Sequence, residues 1–534
     1  MTFLAVRASA KVRLWPLGHV CMNGACIRHS ELPGSSRLFV DFVYNFPRVQ
    51  SFYAHDPSSP ASLEQARNQI QYPPERRAAV VKALSRINAG NPSLEMLAQD
   101  GTAAVLTGQQ VGLYGGPAYT LYKALSAVEL ARKLTAAGKP TVPIFWLATE
   151  DHDVEEVRSA IFWDGEVNTP AKSDGRPAGN HVLEGLPTDL PLSDEIAKLA
   201  KRHYVNGNTF GEAFLGLLQE LLSPLGLLFA DPLDPALRSV GTPILAAAAN
   251  QSNELSEELL TRNRELFDAG YHAMVHFEAK QTSLLFLLEE GSRHQLKFNG
   301  ESFSRGSEKF SRAELASKGT ALSPNALLRP VWQDYLFPTV ALIGGPGELA
   351  YFAQAEVLYR RLLGRMPVIL PRAFFTILDD KSAKTIERFR LRYADMLQSE
   401  EHVRTVVGQR LIPPDLSDTL RQSEKMVNSA LSNLEGKLEG FDPTLSAALE
   451  SSRKKIQYQF SKNQSKIVRE VLRKDEQASR QAAHISHRLA PHGHLQERHY
   501  CMLALLSDYG LDFIPKILEN IHSDCHDHHV LLLG

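Results

Sequence analysis

Two polar loops, each closing a short apolar run and set one helix apart, constrain this chain more than anything else in it. Ala103 to Leu106 is apolar and stops at Thr107-Gly108; Gly112, Gly115 and Gly116 follow, as suits a backbone that must turn and present its N–H groups. From Ala118 the period changes. Leu121, Leu125, Val128 and Leu134 recur at helical spacing, with Lys123, Glu129, Arg132 and Lys133 largely between them, until Gly138-Lys139-Pro140 ends the helix. Val142 to Ala148 is a second continuous apolar run, long enough for a strand buried on both faces, and it runs into Glu150, Asp151, His152 and Asp153. The unit reads as strand, glycine loop, helix, strand.

A crossover between parallel strands is right-handed, and ligands of open α/β sheets gather beyond the carboxyl ends of the strands, where both loops fall. A glycine loop opening a helix favours an anion, and Lys123 adds positive charge nearby. The loop matches neither Gly-x-Gly-x-x-Gly nor Gly-x-x-x-x-Gly-Lys-Ser/Thr, so it is no nucleotide signature by itself. The acidic run also fits a solvated helix start. His152 stands apart, because flanking aspartates are expected to raise its pKa and hold its tautomer. His-Asp spacing alone defines no metal site, and none is assigned.

The same plan recurs at Val340 to Gln354, where Gly344, Gly345 and Gly347 make the turn and Glu348 opens a helix that carries Tyr351 and Gln354. Before it, Leu327 to Tyr335 holds Arg329, Gln333 and Asp334; Arg329 has the fork to grip a carboxylate. Further strands are expected at Gly226 to Ala230, His272 to Phe277 and Pro367 to Leu370, with a hairpin around Glu289 to Ser292 and a helix over 75–99. Pro371-Arg372 and Leu378 to Lys381 end further apolar segments with charge. Strands alternating with helices give an α/β class with a mostly parallel central sheet. From about residue 383 the character changes. Leu445, Leu449, Ile456, Phe460, Ile467 and Val471 recur at threes, fours and sevens, and Phe441-Asp442-Pro443 is a reverse turn. Two antiparallel helices, roughly 416–439 and 443–489, should form a coiled-coil hairpin.

With 534 residues the chain has room for several domains. We expect an extension or disordered arm over 1–30, an α/β core over 31–382, a helical coiled coil over 383–490, and a segment over 491–534 that packs back on the core. Lys plus Arg is 58 against Asp plus Glu at 60, so no net field recommends nucleic acid or an anionic membrane as partner. No apolar stretch approaches the ~20 residues of a membrane helix, and the N-terminus lacks a secretion signal. Cys21, Cys26, Cys501 and Cys525 make no disulfide framework and no Cys-x-x-Cys pair, so a reducing cytoplasm is the expected compartment. The histidines around Cys525 read as polar surface.

Taken in order, Thr107-Gly-Gln-Gln110 through Lys123, Phe145-Trp146 with Glu150 to Asp153, Leu322 to Asn325 with Leu328 to Asp334, Gly344 to Glu348, and Leu495 to Arg498 resemble the bacillithiol biosynthesis cysteine-adding enzyme family. The resemblance runs from about Leu32 to the C-terminal region. It implies a Rossmann-like core with connecting insertions at about 160–320, a long antiparallel α-helical coiled coil, and a homodimer. The implied reaction is ligation of L-cysteine to the glucosamine amine of glucosaminyl malate. Amide formation needs carboxyl activation and a base that keeps the amine neutral. The activating cofactor stays open, a nucleotide such as ATP being one candidate; His492-Gly-His494 is no synthetase signature. By position, His152 would be the base, oriented by Asp151 or Asp153. Lys123, Arg329, Gln109 and Gln110 would hold malate carboxylates or a phosphate. Glu348 and Asp334 would hold the sugar or the cysteine ammonium, with Glu150, Gln333 and Gln354 also at the substrate. Two rivals are a nucleotide-dependent ligase or transferase acting on another amine, and a non-catalytic coiled-coil assembly protein.

Overall fold

A computed structural model describes residues 24–438, 441–522 and 525–533. Most of the arm expected over 1–30, with Cys21, lies outside them. The described chain forms two compact units, the larger from 33–375 with 487–526 and the smaller from the remaining residues.

The larger unit is built on five parallel strands: β1 (Ala103–Gln109), β2 (Thr141–Leu147), β3 (Leu228–Ala230), β4 (Thr339–Gly344) and β5 (Val368–Pro371), in the order β5-β4-β1-β2-β3. Every pairing is parallel. The first three strands progress to one side of β1 and the last two lie on its other side, so the order reverses between β1 and β4. That reversal is the switch point at which open α/β sheets bind ligands. Helices α1 (Tyr119–Ala136), α2 (Pro235–Asn250), α3 (Arg329–Leu336) and α4 (Pro346–Leu363) belong to this unit. All seven residues of β2 are buried, as its unbroken apolar run required. β1 lies so close to β2 that a β-carbon on Gly108 would stand 2.7 Å from the Trp146 carbonyl oxygen.

Trp146 and Trp332 meet edge to face at 5.2 Å beneath the carboxyl ends of the strands. α2 passes over Trp332 at Gly241, where a β-carbon would sit 1.9 Å from Nε1. Gly241→Ala is therefore expected to destabilise the fold by about 3 kcal/mol, the upper part of the ordinary overpacking range. A denaturation midpoint within about 1 kcal/mol of the parent, read with the overpacking scale in mind, would contradict this packing.

Several local expectations are corrected. The helix expected over 75–99 is two, Pro74–Leu84 and Pro92–Ala98, since Pro92 starts a new first turn behind the Asn91 cap. His272 to Phe277 is not a strand, because both amide functions of Gln354 clamp the Val275 backbone in a loop. The hairpin is tighter than expected, with strands Leu285–Glu289 and Ser292–Gln295 joined by Glu290 and Gly291 at φ +53° and +76°.

In the smaller unit, Gly24–Ile27 pairs antiparallel with His528–Leu532, so the end of the presumed arm is a strand. Cys26 on that strand is disulfide-bonded, where reduced thiols were expected. Helices Pro414–Leu438 and Pro443–Lys474 fold back on each other, tied by Arg453 to Glu435 at 2.5 Å, and Asp442 caps the second. The second helix is shorter than expected. Asp475 leaves helical geometry and caps a separate helix, Glu476–Leu489, by accepting from the Ala478 N–H. Asp379 likewise caps helix Asp380–Phe389 and pairs with His484 at 3.2 Å, a structural use for a charge expected at the site. No helix among the described residues is long and apolar enough to cross a membrane.

Candidate active site

At the switch point a cavity of about 350 Å3 opens beyond the ends of β1 and β4. Thr107, Gly108, Gln109 and Gln110 enter it from β1; Gly345, Pro346, Gly347 and Glu348 enter from the turn between β4 and α4. Tyr119 and Lys123 come from α1, Asp151 and Glu156 from the segment after β2, and Arg329 and Gln333 from α3. Arg372 follows β5, and Arg498 belongs to the C-terminal part of the same unit. Of the residues singled out in the sequence, Gln109, Gln110, Lys123, Asp151, Arg329, Gln333 and Glu348 thus share one wall system.

The remainder do not line it. Glu150 is buried behind the wall, accepting from Arg238 at 3.1 Å and Ser323 at 3.0 Å. Asp334 lies one residue beyond Gln333 on α3 and so points to another face, where it pairs with Arg365 at 2.6 Å; Arg365 also bonds the carbonyl of Thr339, the first residue of β4. That is the end of the sheet opposite the cavity. Burial raises the Asp334 carboxyl to about 6 despite Arg365. Gln354 spends its amide on Val275 and Asn263, holding the loop that places Met274 and Val275 in the wall. Asp153 is exposed. Glu150, Asp334 and Gln354, expected at the substrate, are thus held in structural contacts instead, and Asp153, expected to orient His152, is turned to solvent.

The first glycine loop is not an anion cradle. Five of its N–H groups are engaged within the fold: Gly112 by the Gln110 carbonyl, Leu113 by Val157, Gly115 by the Tyr204 hydroxyl, Gly116 by Leu113 and Ala118 by Tyr500. Tyr114, Gly115 and Gly116 turn with positive φ to make these contacts. Nor does Lys123 keep a donor for a ligand. Its ammonium donates to the Gly108 carbonyl and Gln109 Oε1, both at 2.9 Å, and to Glu348 Oε2 at 2.5 Å. Burial pulls its pKa down, against the attraction of Glu348. Lys123 orients Gln109 and Glu348 instead.

The available donors are guanidinium groups. Arg329 is half-buried, and among the described residues the hydrogen-bond partner of its guanidinium is the Tyr351 hydroxyl at 3.4 Å. Arg372 makes a two-pronged ion pair with Glu497 at 2.8 and 2.6 Å, both side chains buried, while its Nε has no hydrogen-bond partner among the described residues. Arg498 adds a third beside Tyr119. The N-terminus of the 18-residue α4 faces the same space. Asp151, Glu156 and Glu348 line the same space, with Glu348 capping the α4 N-terminus through the Gly345 N–H. Burial opposes ionisation of Asp151, but Arg329 and Arg293, with a hydrogen bond from Gln110, outweigh it and hold the carboxyl below its usual range. The guanidinium groups can seat carboxylates or a phosphate, and the carboxylates a cationic or neutral amine.

His152 departs most from expectation. Its Nδ1 lies 3.0 Å from Nη1 of Arg293 and 3.7 Å from Asp151. A guanidinium has donors only, so Nδ1 accepts and the neutral ring carries its proton on Nε2. Burial and then Arg293 lower its pKa, where flanking aspartates were expected to raise it. A ring in that state offers an N–H and cannot take a proton at Nε2, which corrects the base assignment. Arg293, itself fixed by Ser323 and the Pro324 carbonyl, lies on the second strand of the hairpin, which carries no catalytic signature. If the Nε2–H form is the working one, activity persists on acidification to below about pH 6.5, the ordinary imidazole value. Arg293→Gln removes the positive charge, so the acid limb of kcat against pH is expected to move up towards that value. An unmoved limb would separate His152 from the chemistry.

Residues 22–373 match the family profile described as bacillithiol biosynthesis BshC, N-terminal Rossmann-like domain, and 375–533 match the C-terminal coiled-coil domain of the same family. Relatives named "Putative cysteine ligase BshC" occur in Solibacter usitatus, 43% identical over 96% of this chain and 100% of that protein, and in Koribacter versatilis, 33% identical over 95% and 99%. One from Bacillus cereus is 27% identical over 84% of this chain and 88% of its own.

Proposed function

Because the chain belongs to the bacillithiol biosynthesis BshC family, we propose that it is a cysteine ligase that joins L-cysteine to the glucosamine amine of glucosaminyl malate. The observation that carries this reading is the cavity itself, where uncommitted donors of Arg329, Arg372 Nε and Arg498 share the wall with Asp151 and Glu348 at the switch point. Malate brings two carboxylates and cysteine one, which suits guanidinium forks. The amine is taken by Asp151, with Glu348 beside it; His152, which does not line the cavity, acts through Asp151, whose Oδ1 accepts from the His152 backbone N–H.

Joining a carboxylate to an amine requires that the carboxyl first receive a better leaving group, as in a phosphate or adenylate from a nucleotide such as ATP. Arg329 and the α4 N-terminus are suited to neutralise charge that develops on such a group. We further propose that the chain works as a cytoplasmic homodimer.

The test is direct. Purified chain is incubated with glucosaminyl malate, L-cysteine and candidate nucleotides, and products are followed by mass spectrometry. A cysteine adduct of the glucosamine amine that vanishes in Arg329→Ala is the expected result. Failure to consume glucosaminyl malate with any nucleotide, while another amine is acylated, would overturn the substrate assignment.

A further inference from the structure

Pro491 to His499 carries three histidines for which the cavity has no use. His492 sits in a tight turn at φ +52°, a conformation costly for a residue with a β-carbon, and Gly493 follows at +78°. The turn brings the rings of His492 and His494 alongside His499, which ends the short helix Gln496–His499. The centroid of His499 lies 5.5 Å from that of His492 and 6.5 Å from that of His494. Among the described residues, none of the three imidazoles has a hydrogen-bond partner.

We propose that His492, His494 and His499 form a binding site for a divalent transition metal of zinc's class. Imidazole nitrogens stand about 2.0–2.1 Å from zinc, which puts the ring centres of three ligands around one tetrahedral ion about 5 Å apart. His492 and His499 are already near that spacing. The His494 ring is parallel to that of His499 within 7°, so it must turn its edge inward, a rotation that its exposed position permits. Water supplies the fourth position. Neutral imidazoles favour zinc, copper(II) and nickel(II) over magnesium and calcium.

His487 is excluded from the ligand set because its Nε2 is 2.8 Å from the Trp163 carbonyl. The segment contains Glu497, which grips Arg372, and Arg498 of the cavity wall, so an ion here braces residues next to the candidate active site.

Metal-free full-length chain is titrated with Zn2+ in competition with a chromogenic chelator, and separately with Co2+, whose tetrahedral complexes absorb strongly in the visible. The parent is expected to bind a zinc equivalent that both His499→Ala and the double variant His492→Ala/His494→Ala lose. Loss of a ligand should weaken binding by more than the about 10–100-fold that removing an outer-shell partner costs. The double variant alters exposed side chains alone, so it stays informative if His499→Ala folds poorly. The same number and affinity of zinc equivalents in the double variant as in the parent, or none in the parent, overturns the site.

Discussion

Replacing Arg372 by alanine is expected to destabilise the chain by about 3–5 kcal/mol, the usual penalty for leaving one member of a buried ion pair alone. Arg372 and Glu497 are 2% and 0% exposed, and the pair is two-pronged. Glu497 also accepts from the Phe375 N–H at 3.0 Å, and Arg372 donates to the Ala373 carbonyl. Removing the guanidinium therefore strands a carboxylate among groups that were arranged around both partners. Glu497→Gln keeps one hydrogen bond but leaves Arg372 charged and buried, so it should also lose stability. The measurement is the urea midpoint at constant slope, which reports stability free of changes in the unfolded state. An Arg372→Ala midpoint that corresponds to less than about 1 kcal/mol would mean that the pair is hydrated in solution.

Lys123→Met is expected to lower kcat/KM for ligation by about 10²–10³-fold, as loss of a preorganised polar group does elsewhere. The ammonium touches nothing that a substrate would displace, so the loss comes through Gln109 and Glu348, which it aligns. Methionine fills the same volume without donors. Glu348 retains the Gly345 N–H at 2.8 Å, so the α4 cap survives and folding is little affected. Lys123→Arg should not restore the rate, because the longer planar fork cannot serve three acceptors placed for an ammonium. Activity within tenfold of the parent in Lys123→Met would remove Lys123 from the site.

Both glycine loops, the strands β1 and β2, the start of α1 and the coiled-coil hairpin were legible because each depends on neighbours in sequence. Periodicity locates Leu121, Leu125 and Val128, and an unbroken apolar run locates Val142 to Leu147. Side-chain roles were less legible, since they depend on which face a residue takes and on partners far along the chain. Gln333 and Asp334 are adjacent, yet helical rotation sends one to the cavity and the other to Arg365. The glycine loop has the composition of an anion cradle, but Tyr204, Val157 and Tyr500, from 40 or more positions away, use its donors. Arg293 reaches His152 across 141 positions and leaves no local mark. The one available signal was Arg372, a charge directly after a buried strand.

The tie between the first glycine loop and Tyr500 to Met502 has a consequence for biosynthesis. The Ala118 N–H bonds the Tyr500 carbonyl, the Met502 N–H bonds the Gly116 carbonyl, and Cys501 bonds Ile161. The loop forms early on the ribosome, whereas its partners, with Glu497 and Arg498, are translated only after the whole helical excursion has been made. Between the translation of Arg372 and that of Glu497 the chain carries the residues of all five strands, while the arginine still lacks its counter-charge. The closing segment is thus the last part of the cavity wall to be translated, after the helical excursion that separates it in sequence from the sheet.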